Sequence, residues 1–125
     1  MTSAVVAFYK DNDYVGNVYY NSDGYPAHLG KLIYNFLRKK HMTYNTVEEL
    51  YGKYILDPKT EATEIRNYES DIKNIKCYLI YSLKYDSETK NIVSISVQEF
   101  GNITFNGNLA EFAAFIEQER KIMFG

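Results

Sequence analysis

Apolar and polar positions along this chain follow two different periods, and the points where the period changes mark out its elements. Val5 to Tyr9 and Val15 to Tyr20 are rich in β-branched and aromatic residues, and Asp11-Asn12-Asp13 between them has turn chemistry, which predicts a hairpin. Leu29, Leu32, Ile33, Phe36 and Leu37 then recur at helical spacing, which predicts a helix over about Pro26 to Lys40. Its closing Arg38-Lys39-Lys40 suits the negative end of a helix dipole. Thr46-Val47-Glu48-Glu49 has capping-box spacing, so a shorter helix is expected from Val47 to about Tyr54, closed by Asp57-Pro58. From Lys59 to Asn74 the chain is polar and weakly periodic and is expected to be a surface connection.

Strict alternation returns at Ile75, Cys77, Leu79, Tyr81, Leu83 and Tyr85, the clearest strand in the sequence. Asp86 to Asn91 makes a hairpin loop, and Ile92 to Phe100 returns with Val93, Ile95 and Val97 on one face and Ser94, Ser96 and Gln98 on the other. Gly101-Asn102 breaks that strand before a short further one at Ile103 to Phe105. Asn108 is a good N-cap with Glu111 at the third helical position, and Leu109, Phe112, Ala113, Phe115 and Ile116, with Met123 as an outlying member, give the last helix its apolar face. The order predicts a single α+β domain over residues 1–125, an antiparallel sheet of two hairpins with helices packed on one face. Leu29, Ile33, Phe36, Leu79, Ile95, Val97, Phe112 and Phe115 are its expected core.

The densest local signal is Val18-Tyr-Tyr-Asn-Ser-Asp-Gly-Tyr-Pro26, where a strand end, a turn and a helix start follow one another. Gly24 is free to take φ > 0, Asp23 can bond its own backbone, and Pro26 presets the first helical φ while holding Tyr25 extended. Gly30, inside the apolar stripe, is expected to serve close approach to a strand or another backbone. Tyr20, Ser22, Asp23, Tyr25, His28 and Lys31 gather polar and aromatic groups around this junction and form the candidate binding site. A helix start, aromatic faces and a lysine suit an anion or a nucleotide-like ligand.

Composition narrows the classes. A net charge of −2 argues against a dedicated nucleic-acid binder and is too small for an acidic DNA mimic. Thirteen tyrosines with no tryptophan are the outlier; they fit a contact surface, with codon bias in an AT-rich genome expected to supply a real part of the excess. The single cysteine, Cys77, rules out an intrachain disulfide and is expected to be a small core residue. No leader or ~20-residue apolar span is apparent, so a cytoplasmic protein without a membrane segment is expected. His28 and His41 lack metal-binding spacing, Ser22 lacks a nucleophile elbow, and no cofactor fingerprint appears, so neither metal nor cofactor is expected. The acidic positions Glu48, Glu49, Asp57, Glu61, Glu64, Glu69 and Asp71 fit a solvated face or a docking surface for a basic protein.

The N-terminal hairpin, the aromatic-polar-polar-Asp-Gly-Tyr-Pro turn and the helix opening His28-Leu-Gly-Lys-Leu32 together resemble a group of small, mostly uncharacterised bacteriophage proteins. The resemblance covers about the first third of the chain. Members often carry histidine two places before the Asp-Gly, where this chain has Asn21. The resemblance implies a phage or prophage accessory protein, acting in the host cytoplasm without catalysis by binding and inhibiting a host protein such as an antiviral-defence component. Two other classes stand beside it: a binder of a nucleotide signal at the turn, and a small hydrolase or transferase using Asp23 and His28. A homo-oligomer is compatible with all three.

Overall fold

The computed structural model describes residues 2–39, 46–62, 64–66 and 79–125. The sequence-based expectations for Lys40, His41, Glu69, Asp71, Ile75 and Cys77 lie outside these residues. Val93 belongs to a strand, but its side chain is outside the description.

Two residues, Asp11 and Asn12, connect β1 (Ala4–Lys10) to β2 (Asp13–Tyr20), and Asp11 takes φ 54° there. An aspartate accepts that left-handed conformation more readily than most residues, which is why this short polar turn closes the predicted hairpin. After β2 a single π-helical turn, Pro26–Gly30, leads directly into α1 (Lys31–Leu37). The helix thus starts where Pro26 predicted and ends short of the expected Lys40. Then come α2 (Val47–Leu56), a 3₁₀ turn at Pro58–Thr60 and a three-residue strand β3 (Glu64–Arg66), inside the stretch expected to be only a connection. The chain continues as β4 (Leu79–Asp86), β5 (Asn91–Glu99), β6 (Asn102–Gly107) and α3 (Leu109–Phe124).

The strands form one sheet in the order β3-β2-β1-β4-β5-β6. β1 and β4 pair in parallel, from Ala4 opposite Leu79 to Lys10 opposite Tyr85, and every other neighbouring pair is antiparallel. The sheet is therefore mostly antiparallel, with one parallel seam at its centre that joins the two expected hairpins.

One face carries the core. Ala4, Val6 and Phe8 of β1, Val18 and Tyr20 of β2, alternate residues Leu79 to Tyr85 of β4, and Ile95 and Val97 of β5 are all buried there. Leu29, Ile33, Phe36, Leu50, Tyr54, Phe112 and Ile116 meet them from the helices. Alternation sends Val5 and Ala7 to the opposite face, and both are buried as well, so the strand is covered on both sides from Ala4 to Phe8. Of the expected core only Phe115 is half-buried: it stacks on Phe105 with centroids 4.8 Å apart and forms the wall of a groove.

Two glycines set how closely the layers approach. A Cβ on Gly16 would stand 2.6 Å from the Tyr51 ring, so glycine there lets α2 lay that ring on β2, where the Tyr51 hydroxyl donates to the Asn17 carbonyl at 3.0 Å. Gly30 faces Ile116 Cγ1 at 3.2 Å, measured from an ideal Cβ, so its close approach is to side chains of α3 rather than to the strand or backbone expected.

Candidate functional site

The turn between β2 and α1 is held from below. The Gly24 amide donates to the Thr2 carbonyl at 2.8 Å, and the buried Tyr81 hydroxyl donates to the Gly24 carbonyl at 2.7 Å. The residue with positive φ is Asp23, at 59°, whereas Gly24 does not take the left-handed conformation expected of it. Glycine is needed at 24 for space: a Cβ there would lie 2.5 Å from the Ala4 Cβ. The helix start is also internally satisfied. The amides of His28 and Leu29 both donate to the Tyr25 carbonyl, at 3.0 and 2.9 Å, so two of the donors expected to face an anion are already engaged.

The six candidate residues separate into four environments. Tyr20 is 7 % exposed and points into the core. Its hydroxyl donates to the Thr60 carbonyl at 2.8 Å and takes a hydrogen bond from the Tyr54 hydroxyl at 2.8 Å, while Thr60 Oγ1 bonds the Tyr54 carbonyl at 2.7 Å. Burial pushes the Tyr20 phenol up to about 12 from its ordinary 10.0, and the phenols of Tyr54 and Tyr81 are raised well above that ordinary value, chiefly by the same desolvation. Ser22 and Asp23 are exposed at the turn. Tyr25 and His28 are half-buried neighbours with ring centroids 5.9 Å apart, and His28 Nε2 meets Glu61 Oε1 at 3.5 Å. Lys31 is exposed at the start of α1.

Grooves flank the helix start on both sides. The first, about 310 Å³, has Tyr25, Pro26 and Ala27 on one wall and Phe115, Ile122 and Met123 of α3 on the other, with Leu79, Thr104 and the carboxylates of Glu99 and Glu119 also lining it. Large apolar side chains stand exposed at the end of α3, Ile122 at 71 %, Met123 at 52 % and Phe124 at 64 %; Phe100 and Ile103, at the β5–β6 turn, are exposed at 69 % each, and Ile103 pairs with Gln98 on the sheet face away from the helices. The second groove, about 390 Å³, runs between α1 and α3 and is lined by Ala27, Lys31, Tyr34, Arg38, Glu117 and Arg120 among others. Ala27 belongs to both. A third, about 300 Å³, lies beside Lys39 and Asp57, whose ion pair at 2.8 Å holds the Asp57 carboxyl below its usual range.

The candidate turn therefore divides two grooves and lines neither with Ser22, Asp23 or His28. Among the described residues His28 has Glu61 as its acidic partner, and no group of three or more His, Cys, Asp or Glu side chains is arranged to hold a metal ion. Among the same residues no helix is long and apolar enough to cross a membrane. Sequence reasoning missed Glu61 as the partner of His28, the exposure of Ile122 and Phe124 beside Met123, which was expected on the packed face of α3 and is 52 % exposed, and Arg38 and Arg120 as groove residues. The uncommon signal for the second was Ile122-Met123-Phe124 continuing an otherwise charged helix end. Comparison with protein-family models, with curated proteins and with solved structures gives no match.

Proposed function

We propose that this is a non-catalytic binding protein that docks on another protein, and, following the bacteriophage resemblance of its first third, that it is a phage or prophage accessory protein blocking a host component, with an antiviral-defence protein as the favoured target. One observation carries the reading: Ile122, Met123 and Phe124 lie exposed on the end of α3, and the first two line a groove walled by Tyr25 and Phe115. Large apolar side chains gathered at one end of a small protein are what a partner surface covers. Tyr25 is the candidate residue that serves this reading most directly, as an aromatic with a polar tip at the groove wall.

The test compares the wild-type protein with an Ile122→Asp/Met123→Asp variant, both immobilised and exposed to host lysate at physiological salt. Both positions are more than half exposed, so the variant keeps its fold, checked by circular dichroism. The expected outcome is one defined protein retained by the wild type and lost from the variant. Retention of nothing, or of the same proteins by both, overturns the reading.

A further inference from the structure

The groove between α1 and α3 combines three cations with one carboxylate, on a chain whose net charge is −2. Lys31 and Arg38 stand seven residues apart on one side of α1, about 10 Å along the helix axis. Arg120 faces them from α3. The carboxylate, Glu117, is committed to Arg120: Nη2 reaches Oε1 at 2.6 Å and Nε reaches Oε2 at 3.1 Å. Neither Lys31 nor Arg38 forms an ion pair among the described residues; the Arg38 guanidinium lies 5.9 Å from the Tyr34 ring centroid. The charge of the lining is therefore unbalanced, and Ala27 also lines the groove beside Tyr25, whose apolar walls carry Glu99 and Glu119 in place of cations.

We propose that the α1–α3 groove receives an acidic segment of the partner protein, its carboxylates set against Lys31 and Arg38 while adjoining apolar side chains enter the groove beyond Ala27. The inference rests on the protein-docking reading above and adds the chemistry of the partner. Complementary charge suppresses wrong partners and fixes register, whereas the apolar end supplies most of the contact area. The surface selects an acidic, amphipathic stretch over a purely apolar one.

Fluorescence anisotropy with a labelled Phe-Leu-Gly-Glu-Glu-Glu-Glu peptide tests this, beside the same peptide with glutamine in place of each glutamate. The acidic peptide is expected to bind more tightly than the neutral one, by an advantage that shrinks as salt is raised. Lys31→Glu/Arg38→Glu is expected to weaken the acidic peptide about tenfold and leave the neutral one unchanged. Lys31→Gln/Arg38→Gln, which removes charge without reversing it, is expected to fall between the two. Equal affinity for both peptides, no binding of the acidic one, or indifference to both variants overturns the proposal. So does ATP binding that depends on Lys31 while the acidic peptide fails to bind, since the groove would then serve a small phosphorylated ligand. Partner capture that survives Lys31→Glu/Arg38→Glu but is lost in Ile122→Asp/Met123→Asp sinks this inference alone and leaves the docking reading standing.

Discussion

Gly24 sits where the turn before α1 presses on β1, with room for a hydrogen and not for a methyl group: the added carbon would be 2.5 Å from the Ala4 Cβ and 3.0 Å from the Thr2 carbonyl oxygen. Gly24→Ala is therefore expected to cost about 1–3 kcal/mol, measured by urea unfolding, because Ala4 to Phe8 of β1 are buried and leave the strand nowhere to move. Combining it with Ala4→Gly should return part of that loss, a coupling that a purely conformational penalty would not show. Asp23→Asn is expected to change little, since asparagine accepts a φ of 59° about as well. The motif itself was legible in the sequence, but the division of labour within it was not. Which of two neighbouring residues takes positive φ depends on what lies beneath, and Ala4 is twenty positions away in the chain.

Among the elements, α3 carries walls of both grooves, so its start matters to either proposal. Its capping box is complete: Asn108 Oδ1 accepts from the Glu111 amide at 2.9 Å and Glu111 Oε1 accepts from the Asn108 amide at 2.9 Å. Asn108→Ala is expected to lower stability by about 1 kcal/mol and to be visible as a reduced melting temperature. Devices of this kind were readable because donor and acceptor are three residues apart. The Thr46 cap of α2, accepting from the Glu49 amide at 3.1 Å, was readable for the same reason. β3 was not, because Glu64-Ile65-Arg66 has no strand pattern of its own and becomes a strand by pairing with Asn17 to Tyr19 of β2. The contact between His28 and Glu61 was equally hidden, being a product of how the 3₁₀ turn is laid against α1.

At the scale of the whole molecule, tyrosine hydroxyls tie the layers together, which gives stability an alkaline limit. Among the described residues no tyrosine is fully exposed, and Tyr20, Tyr54, Tyr81 and Tyr85 are buried, so much of the excess serves packing as well as any partner. A phenol raised on folding contributes stability in full below its unfolded pKa and loses it as pH climbs through the folded value. Unfolding free energy is thus expected to hold steady below pH 10 and to fall between about 10 and 12, Tyr20 alone accounting for about 3 kcal/mol of the fall. Tyr20→Phe should be the less stable protein at pH 8 and should approach the wild type near pH 12, as urea titrations at both pH values would show. The parallel pairing of β1 with β4 was the topological feature hardest to foresee, since nothing local links Ala4 to Leu79. It also imposes an order on synthesis. The β3-β2-β1 half is complete by Arg66, yet the inner edge of β1 stays without its partner strand until β4 has left the ribosome. At ordinary translation speeds, about twenty residues from Arg66 to Asp86 take roughly 1–4 s. Throughout that interval Ala4-Val-Val-Ala-Phe8 is an open, uncharged strand edge, the kind most prone to pair with a neighbouring nascent chain.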